Sequence, residues 1–202
     1  IPESGLKMLR DRGLTVTVSE KDGVLSKTEF ITALKEDTYD AVLCLLTDTI
    51  DPEVLAAMPQ AKILANYAVG TNNIDVKAAA AAGILIANTP DVLTETVAEH
   101  TFGLILAIAS RIAEGDRFTR AGKYIGWAPM LLLGTDLSSK TLGVLGAGRI
   151  GSRVAHHAHH GFEMDVIYYD VQRNDFFEKD FNATYFETVD EVLKRADVVT
   201  IH

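Results

Sequence analysis

The stretch that decides the fold is Thr141-Leu-Gly-Val-Leu-Gly146-Ala-Gly148-Arg-Ile-Gly151. Residues 141–145 predict a short buried strand, and a helix is predicted from Arg149 to about His160, where Gly161 ends it. Glycines spaced G-x-G-x-x-G between a strand and a helix are typical of a turn that binds the pyrophosphate of a dinucleotide. A plain structural turn between strand and helix is the alternative interpretation.

The glycine turn divides its work among five residues. Gly146 permits the tight turn, and Gly148 lets a pyrophosphate approach the backbone because it has no Cβ atom. Gly151 allows the helix to pack close to the strand. The N–H groups of Arg149 and Ile150 begin the helix, so they are free to donate to phosphate oxygens.

A second strand, predicted over residues 166–169, ends in an acidic side chain. Asp170 lies about 20 residues after the last glycine, the position from which a carboxylate binds the adenine ribose hydroxyls. A 2′-phosphate would meet a like charge there, so the sequence predicts NAD rather than NADP. Arg173 complicates this choice, because it lies near enough to offer a phosphate a partner.

Upstream of the turn, apolar or β-branched runs alternate with helix-like segments. The capping box Ser26-Lys-Thr-Glu29 and the pair Asp51-Pro52 each begin a helix. Such strands, separated by helices, are typical of a parallel sheet covered on both faces, which makes the fold class α/β. The predicted strands span residues 14–18, 41–46, 63–65 and 84–87.

A long helical pattern precedes the turn and predicts one continuous helix towards Arg120. Residues 122–139 then lose periodicity and predict a connector between domains. The apolar residues of the helix recur at steps of three or four and form one face: Leu93, Val97, Thr101, Leu104, Ile108 and Ile112.

Composition excludes several classes of function. The 202 residues carry 19 basic and 28 acidic side chains, a net charge of −9 that disfavours nucleic acid and anionic membrane surfaces as partners. No apolar run approaches the ~20 residues of a membrane span. The single cysteine, Cys44, lies in an apolar strand and predicts a buried, inert thiol, which fits the cytoplasm.

Several ordered motifs resemble the D-isomer-specific 2-hydroxyacid dehydrogenases, and in particular their glyoxylate/hydroxypyruvate reductase branch. They are Asn66-Tyr-Ala-Val-Gly-Thr-Asn-Asn-Ile-Asp75, Gly83-Ile-Leu-Ile-Ala-Asn-Thr-Pro90, Val92-Leu-Thr-Glu-Thr-Val-Ala-Glu99, Trp127-Ala-Pro-Met-Leu-Leu-Leu-Gly134 and the glycine turn. The resemblance spans essentially the whole chain. It implies two Rossmann- or flavodoxin-like domains with parallel sheets, linked by a long helix.

The resemblance also implies the domain organisation and further contacts. Residues 1–90 would form a substrate-binding domain, 91–139 the interdomain helix and connector, and 140–202 the first half of an NAD-binding domain. The backbone N–H groups of Val69 and Gly70 would bind the substrate carboxylate, although Gly70 alone could simply end a strand. Thr96 is a weaker candidate for contacting the nicotinamide half of the cofactor, with helix capping as the competing explanation.

The implied reaction is hydride transfer between NAD(H) and a small 2-keto or D-2-hydroxy acid. The family's catalytic Arg, Glu and His would lie beyond His202, so the chain alone is expected to be inactive. A dinucleotide domain has about six strands and only half are predicted here, so we expect the natural protein to extend beyond His202. Family members also have a strand before the helix-like residues that begin at Ile1, so the resemblance implies an extension at that end as well. A homodimer is expected, with Trp127 and residues 130–133 buried at the interface or in an intrachain core.

Histidines offer no alternative catalytic centre. His100 follows Glu99 in a helix, where adjacent residues do not face each other. His156 and His160 lie one turn apart without a carboxylate or thiol partner, so no metal site is predicted. The competing function on the same scaffold is a non-catalytic NAD(H)-sensing protein that resembles the C-terminal-binding-protein corepressors.

Overall fold

A computed structural model describes all 202 residues, and the chain divides into two compact units, Ile1–Pro90 and Asp91–His202. Each unit contains a parallel sheet with helices, so the predicted α/β class is confirmed. None of the helices is both long and apolar enough to cross a membrane.

The first unit has a three-stranded parallel sheet. Its strands lie side by side in chain order, β1 (Ala41–Cys44), β2 (Ile63–Asn66) and β3 (Leu85–Ala87). Val42 lies opposite Leu64, which in turn lies opposite Ile86. Its elements, in chain order, are α1 (Glu3–Asp11), α2 (Lys27–Lys35), β1 (Ala41–Cys44), α3 (Pro52–Ala56), β2 (Ile63–Asn66), α4 (Val76–Ala81) and β3 (Leu85–Ala87). Its most deeply buried core side chains are Cys44, Ile50, Val54, Met58, Leu64 and Ala79.

The helix starts of this unit follow from their first residues. Ser26 and Glu29 form the predicted capping box of α2, each side chain pairing with the backbone N–H of the other. Asp51 accepts hydrogen bonds from the N–H groups of Glu53 and Val54, and Pro52 occupies the first turn of α3. Both predicted helix starts are confirmed.

The strand predicted over residues 14–18 is wrong. This segment forms no regular secondary structure and belongs to neither sheet, and Leu14 and Val18 are exposed. β-branched residues favour a strand only where a neighbouring strand supplies hydrogen bonds and a surface to pack on. Residues 14–18 have no neighbouring strand, so their local preference for strand structure is not realised.

The second unit has a four-stranded parallel sheet whose strands lie in the order β6 (Thr184–Tyr185), β5 (Asp165–Tyr169), β4 (Thr141–Leu145) and β7 (Val198–Ile201). The first strand of this sheet lies in its interior, and the chain builds outward to β6 on one side before crossing to β7 on the other. A ligand site is expected where the order of strand addition reverses, which is beyond the carboxyl ends of β4 and β7. The sheet elements are β4 (Thr141–Leu145), α7 (Arg149–His156), β5 (Asp165–Tyr169), α8 (Asp175–Phe181), β6 (Thr184–Tyr185), α9 (Val189–Leu193) and β7 (Val198–Ile201).

Close packing of α9 on the sheet depends on a glycine within β4. A Cβ atom on Gly143 would lie 2.7 Å from Val192 Cγ1 and 2.8 Å from Ala196 Cβ. Both distances are shorter than a carbon–carbon contact allows. Gly143 therefore lets the segment that leads into β7 lie flat against β4.

The helix predicted to run on to Arg120 is broken. It forms two helices, α5 (Thr94–Ala109) and α6 (Ile112–Arg120), because Arg111 adopts a left-handed backbone with φ of 54°. The predicted apolar face is also not the buried one, since Ala98, Phe102 and Ile105 pack into the core while Ile108 is 78% exposed. Residues 157–161, after α7, form a π-helical turn.

Candidate functional site

Two of the glycines in the turn between β4 and α7 are required by the protein itself. Gly146 has a φ of 99°, and a Cβ atom there would overlap the carbonyl oxygen of His202. A Cβ atom on Gly151 would overlap the carbonyl oxygen of Gly146 and lie 3.2 Å from Val144 Cγ1. These two positions exclude any side chain, as expected from the sequence.

Gly148 is different, because nothing in the protein requires it to be glycine. Its backbone is extended, with φ of −77°, and a Cβ atom would meet no atom within 4 Å. Gly148 is the N-cap of α7 and no side chain caps the helix, so the N–H groups of Arg149 and Ile150 have no acceptor within it. The residues present therefore fit a phosphate group, which would occupy the space beside Gly148 and accept from these donors.

Asp170 lies directly after β5 and beside the glycine turn. Its Oδ2 atom accepts from Ala147 N at 2.7 Å, and its Oδ1 atom accepts from Gln172 N at 3.3 Å. A carboxylate has about four lone-pair sites, so Asp170 retains capacity to accept from two ribose hydroxyls. Sequence reasoning missed that the same carboxylate also holds the turn in place.

Asn174 is a second residue of the site that sequence reasoning missed. Its Oδ1 atom caps α8 by accepting from Phe177 N, and its Nδ2 atom donates to Ala147 O at 2.9 Å. An asparagine before a helix predicts the cap. The bond to Ala147 joins residues far apart in sequence, and no local pattern could reveal it.

Ion pairs tie the start of α5 to the start of α7. Arg149 Nε lies 3.1 Å from Asp91 Oδ1, and one turn further along, Arg153 Nη2 donates to Glu95 Oε2 at 2.9 Å. Thr96 follows Glu95 in the first turn of α5 and is exposed. Leu93 is the N-cap and no side chain caps this helix. Thr96 therefore does not act as a helix cap.

In the first unit, the loop after β2 has its carbonyl groups bound by the protein. Thr89 N donates to Ala68 O at 2.9 Å, and Asn88 Nδ2 donates to Val69 O at 2.8 Å. The C=O and N–H of one trans peptide point in opposite directions, so the N–H groups of Val69 and Gly70 point away from these donors. Neither N–H donates to a protein group, and consecutive unpaired N–H groups of this kind suit an anion.

A pair of side-chain amides, the buried Asn66 and the half-buried Asn73, holds this loop. Asn66, 2% exposed, donates to Gly70 O at 2.8 Å and to Asn73 Oδ1 at 3.1 Å. The two N–H groups of Asn73 Nδ2 are in turn shared among three acceptors, Asn66 Oδ1 at 3.2 Å and the carbonyl oxygens of Leu45 and Asp48 at 3.1 Å. Sequence reasoning quoted Asn66 within a motif but gave it no role.

The side chains of Cys44, His100, His156 and His160 supply no donor or acceptor to the glycine turn or to the N–H groups of Val69 and Gly70. Cys44 is fully buried and donates to Asn66 Oδ1 at 3.3 Å, and burial raises the pKa of its thiol to about 11. His100 is exposed. The rings of His156 and His160 lie with centroids 4.5 Å apart and planes tilted by 34°, and the chain contains no cluster of three or more side chains suited to a metal ion.

Comparison with known proteins gives consistent results. The model of the D-isomer specific 2-hydroxyacid dehydrogenase catalytic domain matches residues 1–200. A glyoxylate reductase of Korarchaeum cryptofilum is 43% identical over 100% of this chain and 60% of its own length. The chain thus spans about 60% of this curated relative.

Two solved structures are similar to this chain along nearly its full length. The TT0316 protein of Thermus thermophilus superimposes with a TM-score of 0.88 at 37% identity, covering 98% of this chain and 61% of that one. The D-lactate dehydrogenase of Aquifex aeolicus, solved with NAD and lactic acid, gives a TM-score of 0.82 at 29% identity, covering 100% and 58%. With a family match along nearly its full length, the chain belongs to the D-isomer specific 2-hydroxyacid dehydrogenases.

Proposed function

We propose that this chain is the part of an NAD-dependent D-2-hydroxyacid dehydrogenase that holds NAD(H) and the carboxylate of a small 2-keto acid such as glyoxylate or hydroxypyruvate. The observation that carries the proposal is the open space beside Gly148, where a helix N-terminus presents unpaired N–H groups. The similar glyoxylate reductase and the NAD-bound D-lactate dehydrogenase support it.

Each residue has one task in this proposal. Arg149 and Ile150 donate their N–H groups to the pyrophosphate, and Asp170 accepts from the adenine ribose, which favours NAD over NADP. Val69 and Gly70 donate their N–H groups to the substrate carboxylate. The nicotinamide, when bound, supplies or accepts the hydride. Thr96 is proposed to lie beside the nicotinamide half.

Replacing Gly148 by alanine tests the cofactor proposal directly. We expect Gly148→Ala to weaken NADH binding by at least about tenfold, because the new methyl group would occupy space assigned to a phosphate. The melting temperature should stay within about 2 °C, since the extended backbone accepts alanine and no protein atom lies within 4 Å. NADH binding is measured by the change in nicotinamide fluorescence on titration with protein.

Gly161→Ala is the matched control, because its Cβ atom would also meet nothing within 4 Å, at the far end of the same helical segment. It should bind NADH as the unmodified chain does. Equal NADH affinity for Gly148→Ala and Gly161→Ala would contradict the proposed role of the turn, and no binding by the unmodified chain would contradict the proposal itself.

We also propose that two copies associate through an apolar surface of the second unit. Its most exposed members are Ile108 at 78%, Ile125 at 99%, Trp127 at 82% and Met130 at 77%. Thr135 N donates to Ala109 O at 2.8 Å, which joins the connector to the end of α5. Large contiguous apolar patches mark interaction sites on protein surfaces, and we propose that these exposed side chains form one. The buried, reduced Cys44 suits the cytoplasm, which we propose as the location.

Sedimentation velocity tests the association. A species of twice the chain mass is expected, and a double substitution, Ile108→Glu with Met130→Glu, should reduce it to the single-chain mass because charges would be buried in the interface. Met8→Glu, at an exposed apolar position of α1, is the control and should not change the sedimentation coefficient. A single-chain mass before any substitution would overturn this proposal.

A further inference from the structure

The short loop that follows β5 is fixed to the glycine turn at both of its ends. Asp170 Oδ2 accepts from Ala147 N at 2.7 Å, and Asn174 Nδ2 donates to Ala147 O at 2.9 Å. The residues between them therefore lie beside the glycine turn as well. Arg173 is the only cation in this loop, so its side chain is attached close to the carboxylate assigned to the adenine ribose.

The guanidinium group of Arg173 is committed to another residue. Its Nε atom donates to Glu178 Oε1 and its Nη2 atom to Glu178 Oε2, both at 2.7 Å. Two parallel hydrogen bonds of this kind are the strongest arrangement open to an arginine and a carboxylate. The contact with Arg173 lowers the pKa of the Glu178 carboxyl, so Glu178 is ionised at neutral pH.

Glu178 also accepts a hydrogen bond from a residue of the core. The hydroxyl of Tyr168, a fully buried side chain of β5, donates to Glu178 Oε1 at 2.8 Å. The same hydroxyl accepts from Asn174 N at 2.9 Å, which ties Glu178 to the loop that carries Arg173. The carboxylate thus has a fixed position, whereas an ordinary surface ion pair joins two mobile side chains.

This arrangement bears on which dinucleotide the chain prefers. An arginine near the ribose acid is the group that accommodates the 2′-phosphate of NADP, through bidentate hydrogen bonds from its planar fork. Here Glu178 occupies one bidentate edge of the guanidinium, Nε and Nη2, and neutralises its charge. A phosphate would find only the remaining N–H groups, on a side chain whose charge is already balanced by a carboxylate that Tyr168 holds in place.

We propose that Glu178 is a specificity-determining residue that favours NAD over NADP by withholding Arg173 from the 2′-position. This inference rests on the proposed function, because it assumes a dinucleotide at the glycine turn. Asp170 repels a 2′-phosphate directly, and Glu178 acts separately by neutralising Arg173, the one cation of the loop that carries Asp170.

Glu178→Gln is the primary test, with NADH and NADPH affinities measured by fluorescence titration of the 202-residue chain. Glutamine can still accept from Tyr168 but no longer neutralises Arg173. We expect NADPH affinity to rise about tenfold relative to NADH, as for a charge-assisted bond to phosphate, while NADH affinity changes less than about twofold. The gain should shrink as salt is raised.

Two further variants separate this role from a structural one. The double variant Arg173→Ala with Glu178→Gln should lose the gain in NADPH affinity, because the released cation is absent. Glu114→Gln is the matched control, since Glu114 forms an equivalent bidentate pair with Arg111 at 2.8 and 2.7 Å. It removes the same charge and should leave the NADPH-to-NADH ratio unchanged.

The outcomes are distinguishable. A chain that binds neither dinucleotide would overturn the proposed function. A chain that binds NADH normally, but whose Glu178→Gln variant keeps the original NADPH-to-NADH ratio, would overturn only the role of Glu178. A gain that persists without Arg173, or that Glu114→Gln reproduces, would assign the effect to net charge and also overturn it.

Discussion

Gly151→Ala is expected to destabilise the second unit by about 3 kcal/mol and to abolish measurable NADH binding. The added methyl group would overlap the carbonyl oxygen of Gly146 and press on Val144 Cγ1 at 3.2 Å, so α7 must move away from β4. Backbone atoms cannot rotate aside as a flexible side chain can. The same displacement would carry the N–H groups of Arg149 and Ile150 away from the phosphate position.

Hydrogen exchange followed by mass spectrometry is the appropriate measurement, because a chain with two units need not unfold in one transition. Protection of peptides from β4 and α7 should fall about a hundredfold, whereas peptides from β2 should exchange as before. Gly148→Ala is the control, since it adds the same methyl group to the same turn without a steric overlap. Unchanged protection of β4 in Gly151→Ala would contradict the predicted overlap.

Asn66→Leu is expected to destabilise the first unit by about 2–3 kcal/mol. Leucine has a similar volume but cannot pair with Gly70 O or with the amide of Asn73, so buried polar atoms would be left without partners. The loop carrying Val69 and Gly70 would lose the contact that holds its end. Its N–H groups would then no longer be fixed for a carboxylate.

The readout is the hydrogen-exchange rate of residues 67–73, which should rise by at least about tenfold, together with a lower melting temperature for the first unit. Asn72→Leu makes the same chemical change at an exposed position of the same loop and should have little effect. Slow exchange of the loop in Asn66→Leu would show that Asn66 does not hold it.

Much of the fold could be predicted because its signals are local. The capping box at Ser26, the proline after Asp51 and the glycines around Gly148 each act within a few residues. The segment 14–18 could not be judged in this way, since a strand exists only with a partner. The left-handed backbone at Arg111 likewise breaks a helix that periodicity alone predicts as continuous.

The candidate site likewise combines local features, which the sequence predicts, with long-range contacts, which it does not. The glycine spacing and the position of Asp170 can be read from the sequence, although their roles in binding remain predictions. The contacts of Asn174 with Ala147 and of Glu178 with Tyr168 join separate elements and became visible only in three dimensions. The sequence predicts Gly143 only as a residue of a strand. The need for a glycine there comes from its close contact with α9 and Ala196, which the sequence pattern does not reveal.

The loop after β2 carries a consequence for the sign of what it can bind. Each carbonyl group from Ala68 to Gly70 already accepts a hydrogen bond from the protein, whereas the N–H groups of Val69 and Gly70 donate to none. This loop therefore offers hydrogen-bond donors to a ligand. A carboxylate brings acceptors alone and matches it. A carboxamide of the same shape replaces one acceptor oxygen with an NH2 group that cannot accept from either N–H, so we expect it to bind more weakly although it fits by size. If the proposed role of this loop is correct, a chain with a net charge of −9 would distinguish an acid from its neutral amide by local backbone polarity.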